Sequence, residues 1–169
     1  MGSYWMMRAA AYEKRITRVI AMPPLYDWLE MTNSLNAKLA KWFLKHKGLT
    51  NALVKLKMNV GSLKHTINNA LFIQNKTEPY DAVEWMMAMN KKHIMSHLIT
   101  QDVLLVVGEN DAFQPPILLY KQKEALVNAA SITTRIFTKE EHADQHCQIG
   151  NLNIALQTML NWITKIPKR

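Results

Sequence analysis

One cysteine in 169 residues, Cys147, excludes an internal disulfide framework. No group of Cys and His stands at ligand spacing, so a structural zinc site is not expected, and a reducing, cytoplasmic setting fits best. Glycine and proline are scarce, with 5 and 6 residues against 49% apolar composition. That balance rules out a collagen-like or disordered chain and provides material for one compact domain. The longest uncharged run, Cys147 to Thr164, is broken by Gln148, Asn151, Asn153, Gln157 and Asn161, and reads as an amphipathic surface helix instead of a membrane span. The opening MGSYWMMRAAAYEKR meets Arg8 and Glu13 too soon for a secretory core, and Met6 stands where a myristoylation signal requires Ser or Thr.

Acidic residues are missing from Met31 to Thr77, a stretch that holds lysines at 38, 41, 45, 47, 55, 57, 64 and 76. Outside it bases and acids balance at 13 each, so the formal net charge of +8 belongs to that one segment.

Residues 4–14 (YWMMRAAAYEK) combine helix formers with no breaker, and 16–22 (ITRVIAM) is a β-branched run stopped by Pro23 and Pro24; a helix feeding a short strand is predicted. From Asp27 to about Leu98 the pattern is almost wholly helical. Leu35, Leu39, Trp42 and Phe43 fall opposite Lys38, Lys41 and Lys45 at helical spacing, and 63–73 and 80–90 behave similarly. Asp102 to Val107 (DVLLVV), closed by Gly108, is the continuous apolar run of a strand buried on both faces. Pro115 and Pro116 open a helix through about Ala129, ITTRIF (132–137) forms the next strand, and 152–166 closes as a helix. This order predicts the α/β class, with a doubly wound parallel sheet and right-handed crossovers. No internal repeat is visible.

In open parallel sheets the chemistry gathers outside the carboxyl ends of the strands. Two loops leave such ends. GENDAFQP (108–115) supplies an acid, Asp111, and KEEHADQHCQ (139–148) supplies a histidine, His142 or His146. A carboxylate that holds an imidazole fixes its tautomer and stabilises the imidazolium formed when histidine takes a proton from a nucleophile. The plainer role for Asp111 is a turn or helix cap, and for His146 a cap of the last helix. Asp144 and Glu141 read as solvated loop charges, and Cys147 as a small buried residue.

A strand ending in VGENDAFQP, a helix, a strand ending in RIFT, and then EEHADQHCQIGN before a last helix ending in NWI resembles the C-terminal half of a serine α/β-hydrolase. The resemblance is closest to the acylaminoacyl-peptidase-like and dipeptidyl-aminopeptidase-like esterases and peptidases, which carry HCQ in their histidine loop. It implies that Asp111 is the triad acid and His146 the triad base. Met1-Gly2-Ser3-Tyr4-Trp5, followed by Arg8-Ala9-Ala10 and Glu13-Lys14-Arg15-Ile16, is similar to the family's stretch that starts within the G-x-S-x-G elbow. Gly2 would be the elbow's last glycine and the nucleophilic serine would precede Met1. Ser3, with no strand to hold it in an elbow, is not expected to replace it.

The resemblance therefore implies an incomplete α/β-hydrolase domain over 1–169, with a helical cap or lid inserted at 28–97. Its complete relative would cleave esters or peptide-like amides through an acyl-enzyme, with no metal or organic cofactor. The chain alone is expected to be inactive. The expected partner is a small-molecule ester or peptide substrate, with neither nucleic acid nor membrane. The lysine-rich segment is accordingly read as the outer face of the cap, its stripe of Trp42 and Phe43 packed down and its lysines in water, in preference to a membrane-surface or nucleic-acid-binding helix. The eleven methionines are core filling, in part lining an acyl pocket. A competing reading is a non-catalytic binding module whose incomplete sheet needs a partner chain or a homo-oligomer.

Overall fold

A computed structural model describes residues 1–31, 34–59 and 63–165; Ile166, the expected end of the last helix, lies outside them. In chain order the elements are α1 (Gly2–Tyr12), β1 (Arg18–Ala21), α2 (Ser34–Phe43), α3 (Lys47–Lys57), α4 (Leu63–Gln74), α5 (Pro79–Ala88), α6 (Lys91–Ile94), β2 (Asp102–Gly108), α7 (Pro116–Ala125), β3 (Ser131–Phe137) and α8 (Leu152–Lys165). The chain divides into two compact units, one formed by Met1–Asp27 with Asn90–Arg169 and the other by Trp28–Met89.

The first unit is built on a parallel sheet in the order β1-β2-β3, in which Asp102 lies opposite both Arg18 and Ser131. The chain is thus of the mixed α/β class. All seven residues of β2 are buried, as its unbroken apolar run requires of a central parallel strand. Ile154, Ala155, Met159 and Trp162 of α8 pack with Leu104, Val106 and Phe137 on one face. The pleat turns Val103, Leu105 and Val107 to the other, where α1 lies along β1 and α7 along β2. Both helices contact the 3-10 turn Ser96–Leu98: Gln122 Nε2 donates to Ser96 Oγ at 2.8 Å, and Gln101, three residues after the turn, donates through Nε2 to the Ala10 carbonyl at 2.9 Å.

Element ends depart from the sequence pattern where tertiary bonds intervene. Helix α7 stops at Ala125, short of Ala129, because the chain turns there and the Ala130 N–H reaches the Thr100 and Gln101 carbonyls, delivering β3 into register. The inserted unit ends at Met89, before residue 97. Asn90 caps α6 through bonds from the Lys92 and His93 N–H groups, and exchanges bonds of 3.0 and 3.1 Å with the Tyr4 hydroxyl. The Lys91 N–H donates to Asp27 Oδ2 at 3.2 Å, so the residues flanking the insertion are tied together.

In the second unit Ile67, Ala70, Leu71 and Ala82 form a small core with Val54, Met58, Leu63, Val83 and Trp85. Lys47–Asp81 (3.3 Å) and Lys55–Glu78 (3.4 Å) join α3 to the start of α5. Helix α2 contributes no residue to that core, and its Leu35, Leu39 and Trp42 are 72%, 49% and 46% exposed. The expectation that the α2 stripe packs down is therefore corrected for Leu35, Leu39 and Trp42, while Phe43 is half-buried: helical periodicity is present, but among the described residues the core cluster is drawn from α3, α4, α5 and the residue after α3. Among the described residues no helix is long and apolar enough to cross a membrane.

The packing sets the cost of core truncation. Leu104→Ala, at a fully buried site between strand and α8, is expected to cost about 2–5 kcal/mol. Leu160→Ala, on the exposed side of α8, should stay within about 0.5 kcal/mol. Urea unfolding of the two variants measures the contrast, and equal losses would contradict the packing described.

Candidate functional site

The register that sets Gly108 of β2 beside Phe137 of β3 makes both following loops leave the sheet at the same level. Three consecutive residues of the first loop then bond to the second. The Lys139 N–H donates to Glu109 Oε1 at 2.8 Å, Asn110 donates through its backbone to the Asp144 carbonyl and through Nδ2 to Asp144 Oδ2, both at 3.0 Å, and Asp111 meets His146. Gly108 is required here because a Cβ would fall 2.1 Å from the Asp144 carbonyl oxygen.

His146 Nδ1 lies 2.9 Å from Asp111 Oδ2 and 3.1 Å from Oδ1. Facing acceptor oxygens, Nδ1 carries the proton, which leaves Nε2 of the neutral ring with its lone pair. Nε2 makes no hydrogen bond among the described residues. The Asp111 side chain is fully buried, whereas that of His146 is 35% exposed, so the pair presents its basic end outward. Oδ1 of Asp111 also accepts from the Phe113 and Gln114 N–H groups at 2.9 and 2.8 Å. The carboxylate thus caps a local turn and holds the imidazole at once, while α7, with Pro115 as its N-cap, begins beyond that turn without a side-chain cap bond. The Phe113 ring lies 5.1 Å from the imidazole, centroid to centroid.

His142, the rival, is exposed and held in a turn with φ 54°; its carbonyl would lie 2.3 Å from a Cβ on Gly150. Cys147 and Gln148, both at φ 53°, carry the chain from His146 toward α8 through the left-handed region. Cys147 is half-buried, not fully buried as its sequence setting suggested. Burial first and the Asp111 charge second push its thiol above the usual value, which disfavours the thiolate that nucleophilic chemistry needs.

Helix α1 starts at the same end of the sheet. Ser3 Oγ donates to the Pro23 carbonyl, just beyond β1, at 2.6 Å, so that hydroxyl is engaged by the backbone and not by His146. The Met1 amino group is within electrostatic reach of Cys147, and burial holds it below the ordinary α-amino range. Among the described residues, no group of three or more His, Cys, Asp or Glu could hold a metal ion.

Two acids read as solvated are not. Glu141 pairs with Arg135 and accepts from the Thr138 N–H at 3.0 Å. Asp144 is buried, and accepts from Gln145 Nε2 at 2.7 Å as well as from Asn110. Loop sequences show no periodicity, so a partnership between positions 110 and 144 is invisible until the strand register brings them together. No family model matches the chain, and no curated protein matches it.

Bonds from Asn110 first and Gln145 second hold the Asp144 carboxyl below the usual aspartate value. A carboxyl depressed in the folded state adds stability above its unfolded value of about 3.9, and loses that contribution as pH falls through the folded value. The melting-temperature gap between the parent chain and Asp144→Asn should therefore be widest near neutrality and close below about pH 4. A gap constant with pH would refute the role given to this carboxylate.

Proposed function

We propose that the chain carries the acid and base of a serine hydrolase of the α/β-hydrolase type, acting on esters or peptide-like amides through an acyl-enzyme. The observation that carries this reading is the His146–Asp111 bond, made between loops that leave the carboxyl ends of adjacent parallel strands, with the start of α1 at the same sheet end. His146 Nε2 would take the proton of the nucleophilic hydroxyl and later return it to the leaving group. Asp111 would hold the ring and stabilise the imidazolium between those steps. The nucleophile in this reading is the serine of an elbow whose final glycine matches Gly2, with α1 as the helix that follows it.

The order β1-β2-β3, with a helical unit inserted after β1 and none as large after β2, agrees with that assignment. Trp28–Met89 is then the cap that governs substrate access. No residue in the proposed steps requires a metal or organic cofactor, and the single thiol suits a reducing, cytoplasmic setting.

The test is turnover of p-nitrophenyl esters and labelling by a fluorophosphonate, using protein expressed with the in-frame codons upstream of Met1. Labelling should fall on a serine immediately before Met1, and His146→Ala should lower kcat by at least about 10³-fold. Residues 1–169 expressed alone should give no turnover above buffer. Turnover unaffected by His146→Ala, or labelling at Ser3, would sink the assignment.

A second reading, a non-catalytic module completed by another copy, is favoured by one observation. Strand β1 pairs only with β2 among the described residues, and its free side adjoins a groove of about 360 Å³ lined by Gly2, Ser3, Met6, Ile20, Met22 and Met159. An open edge beside apolar surface is a template for association. Light scattering across a concentration series decides: growth to a defined dimer supports this reading, and a monomer at every concentration removes it.

A further inference from the structure

We propose that the exposed apolar and lysine side chains of α2 and α3 dock the Trp28–Met89 unit on an anionic lipid bilayer. The inference is independent of the hydrolase reading and starts from the exposed stripe. Leu35, Leu39 and Trp42 recur at spacings of four and three, so they fall within about 60° of arc on α2. Lys38 and Lys41 stand to one side of that arc, and Lys45 follows in the turn after the helix. Helix α3 adds Leu49 and Leu56, 44% and 69% exposed and two turns apart, with Lys57 one residue beyond. Lys38, Lys41, Lys45 and Lys57 form no ion pair among the described residues.

Charge and side-chain type together select the occupant. Met31 to Thr77 holds no acid, so its partner is anionic. The same stretch holds no arginine, the side chain that planar phosphate and base recognition favours. Nucleic acid also gives no apolar phase to cover four leucines and a tryptophan. A bilayer interface supplies both needs: leucines enter the acyl boundary, the indole sits at headgroup level, and lysines extend along the apolar surface to lipid phosphates. A second copy of these helices would set lysines against lysines with no acid between them. Docking of this kind lies along the surface and requires no spanning helix. The expectation of no membrane contact went with a stripe packed inward at Trp42 and Phe43, whereas Leu35, Leu39 and Trp42 are exposed and only Phe43 is half-buried.

The experiment is co-sedimentation of the full chain with phosphatidylcholine vesicles, with and without phosphatidylglycerol. Two sets of substitutions accompany it, Leu35→Gln with Leu39→Gln and Trp42→Gln, and Lys38→Gln with Lys41→Gln and Lys45→Gln, each checked for fold by circular dichroism. Binding should require phosphatidylglycerol, and each set should weaken it by about tenfold or more. A blue shift of tryptophan emission on adding vesicles, missing in Trp42→Phe, should accompany binding. No sedimentation with anionic vesicles, equal binding to both lipid mixtures, or binding that survives both sets overturns the proposal. So does tighter binding to a DNA duplex that ignores the leucine and tryptophan changes, which would assign the lysines to nucleic acid.

Discussion

Parallel pairing of β2 on both of its sides places a peptide ladder where water cannot reach, and every residue from Asp102 to Gly108 is buried. Apolar side chains on both faces are the condition for that burial. Leu104 and Val106 meet α8, while Val103, Leu105 and Val107 face the layer that includes α1 and α7. The ladder also has a consequence beyond stability. By pairing Gly108 with Phe137 it starts two loops at one height, and the Glu109 N–H immediately donates to the Phe137 carbonyl at 2.9 Å. The juxtaposition of Asp111 and His146 descends from this register, since the two residues are 35 positions apart in the chain.

Between the strands and the Asp111–His146 pair stands a polar clasp. Bonds at Glu109–Lys139 and Asn110–Asp144 precede Asp111–His146 in the first loop, so the ring is approached by a loop already fixed at two points. Gly108 lets the Asp144 backbone lie against the strand end. A side chain there would displace the loop that carries His146. Loops tied in this way behave as extensions of the sheet, which is the support that a preorganised hydrogen bond needs.

The sheet and the site loops were legible in the sequence because each carries a local signal. An unbroken apolar run identifies β2, and residues following a strand lie at a sheet end, so position offers an acid and a histidine in adjacent loops, while the choice of His146 over His142 comes from the family resemblance. Helix ends were less legible: the stop at Ala125 comes from a bond made by Ala130 to Thr100 and Gln101, a partnership across some thirty residues that no local pattern encodes. Asp144 was misread for the same reason, because a charged residue in a loop has the same local appearance whether it is solvated or clasped. The α2 stripe exposes a different limit. Periodicity establishes that Leu35, Leu39 and Trp42 share a face, but not that the protein has a surface to cover it, and among the described residues the core cluster of the second unit includes none of the three.

Asp111 shows why plain and chemical roles need not compete. As a turn residue it accepts at Oδ1 from the Phe113 and Gln114 N–H groups, a common local pattern for aspartate. Those bonds remove the rotation that would otherwise let the carboxylate plane swing. With Oδ1 bonded to the backbone and the side chain out of water, the carboxylate faces His146 Nδ1, which lies 2.9 Å from Oδ2 and 3.1 Å from Oδ1. Capping is therefore what orients the carboxylate toward the imidazole, and the orientation is in place before any substrate arrives. The same economy governs the ring: its proton is drawn to Nδ1 by the buried partner, which leaves the lone pair on Nε2, the nitrogen that makes no hydrogen bond among the described residues.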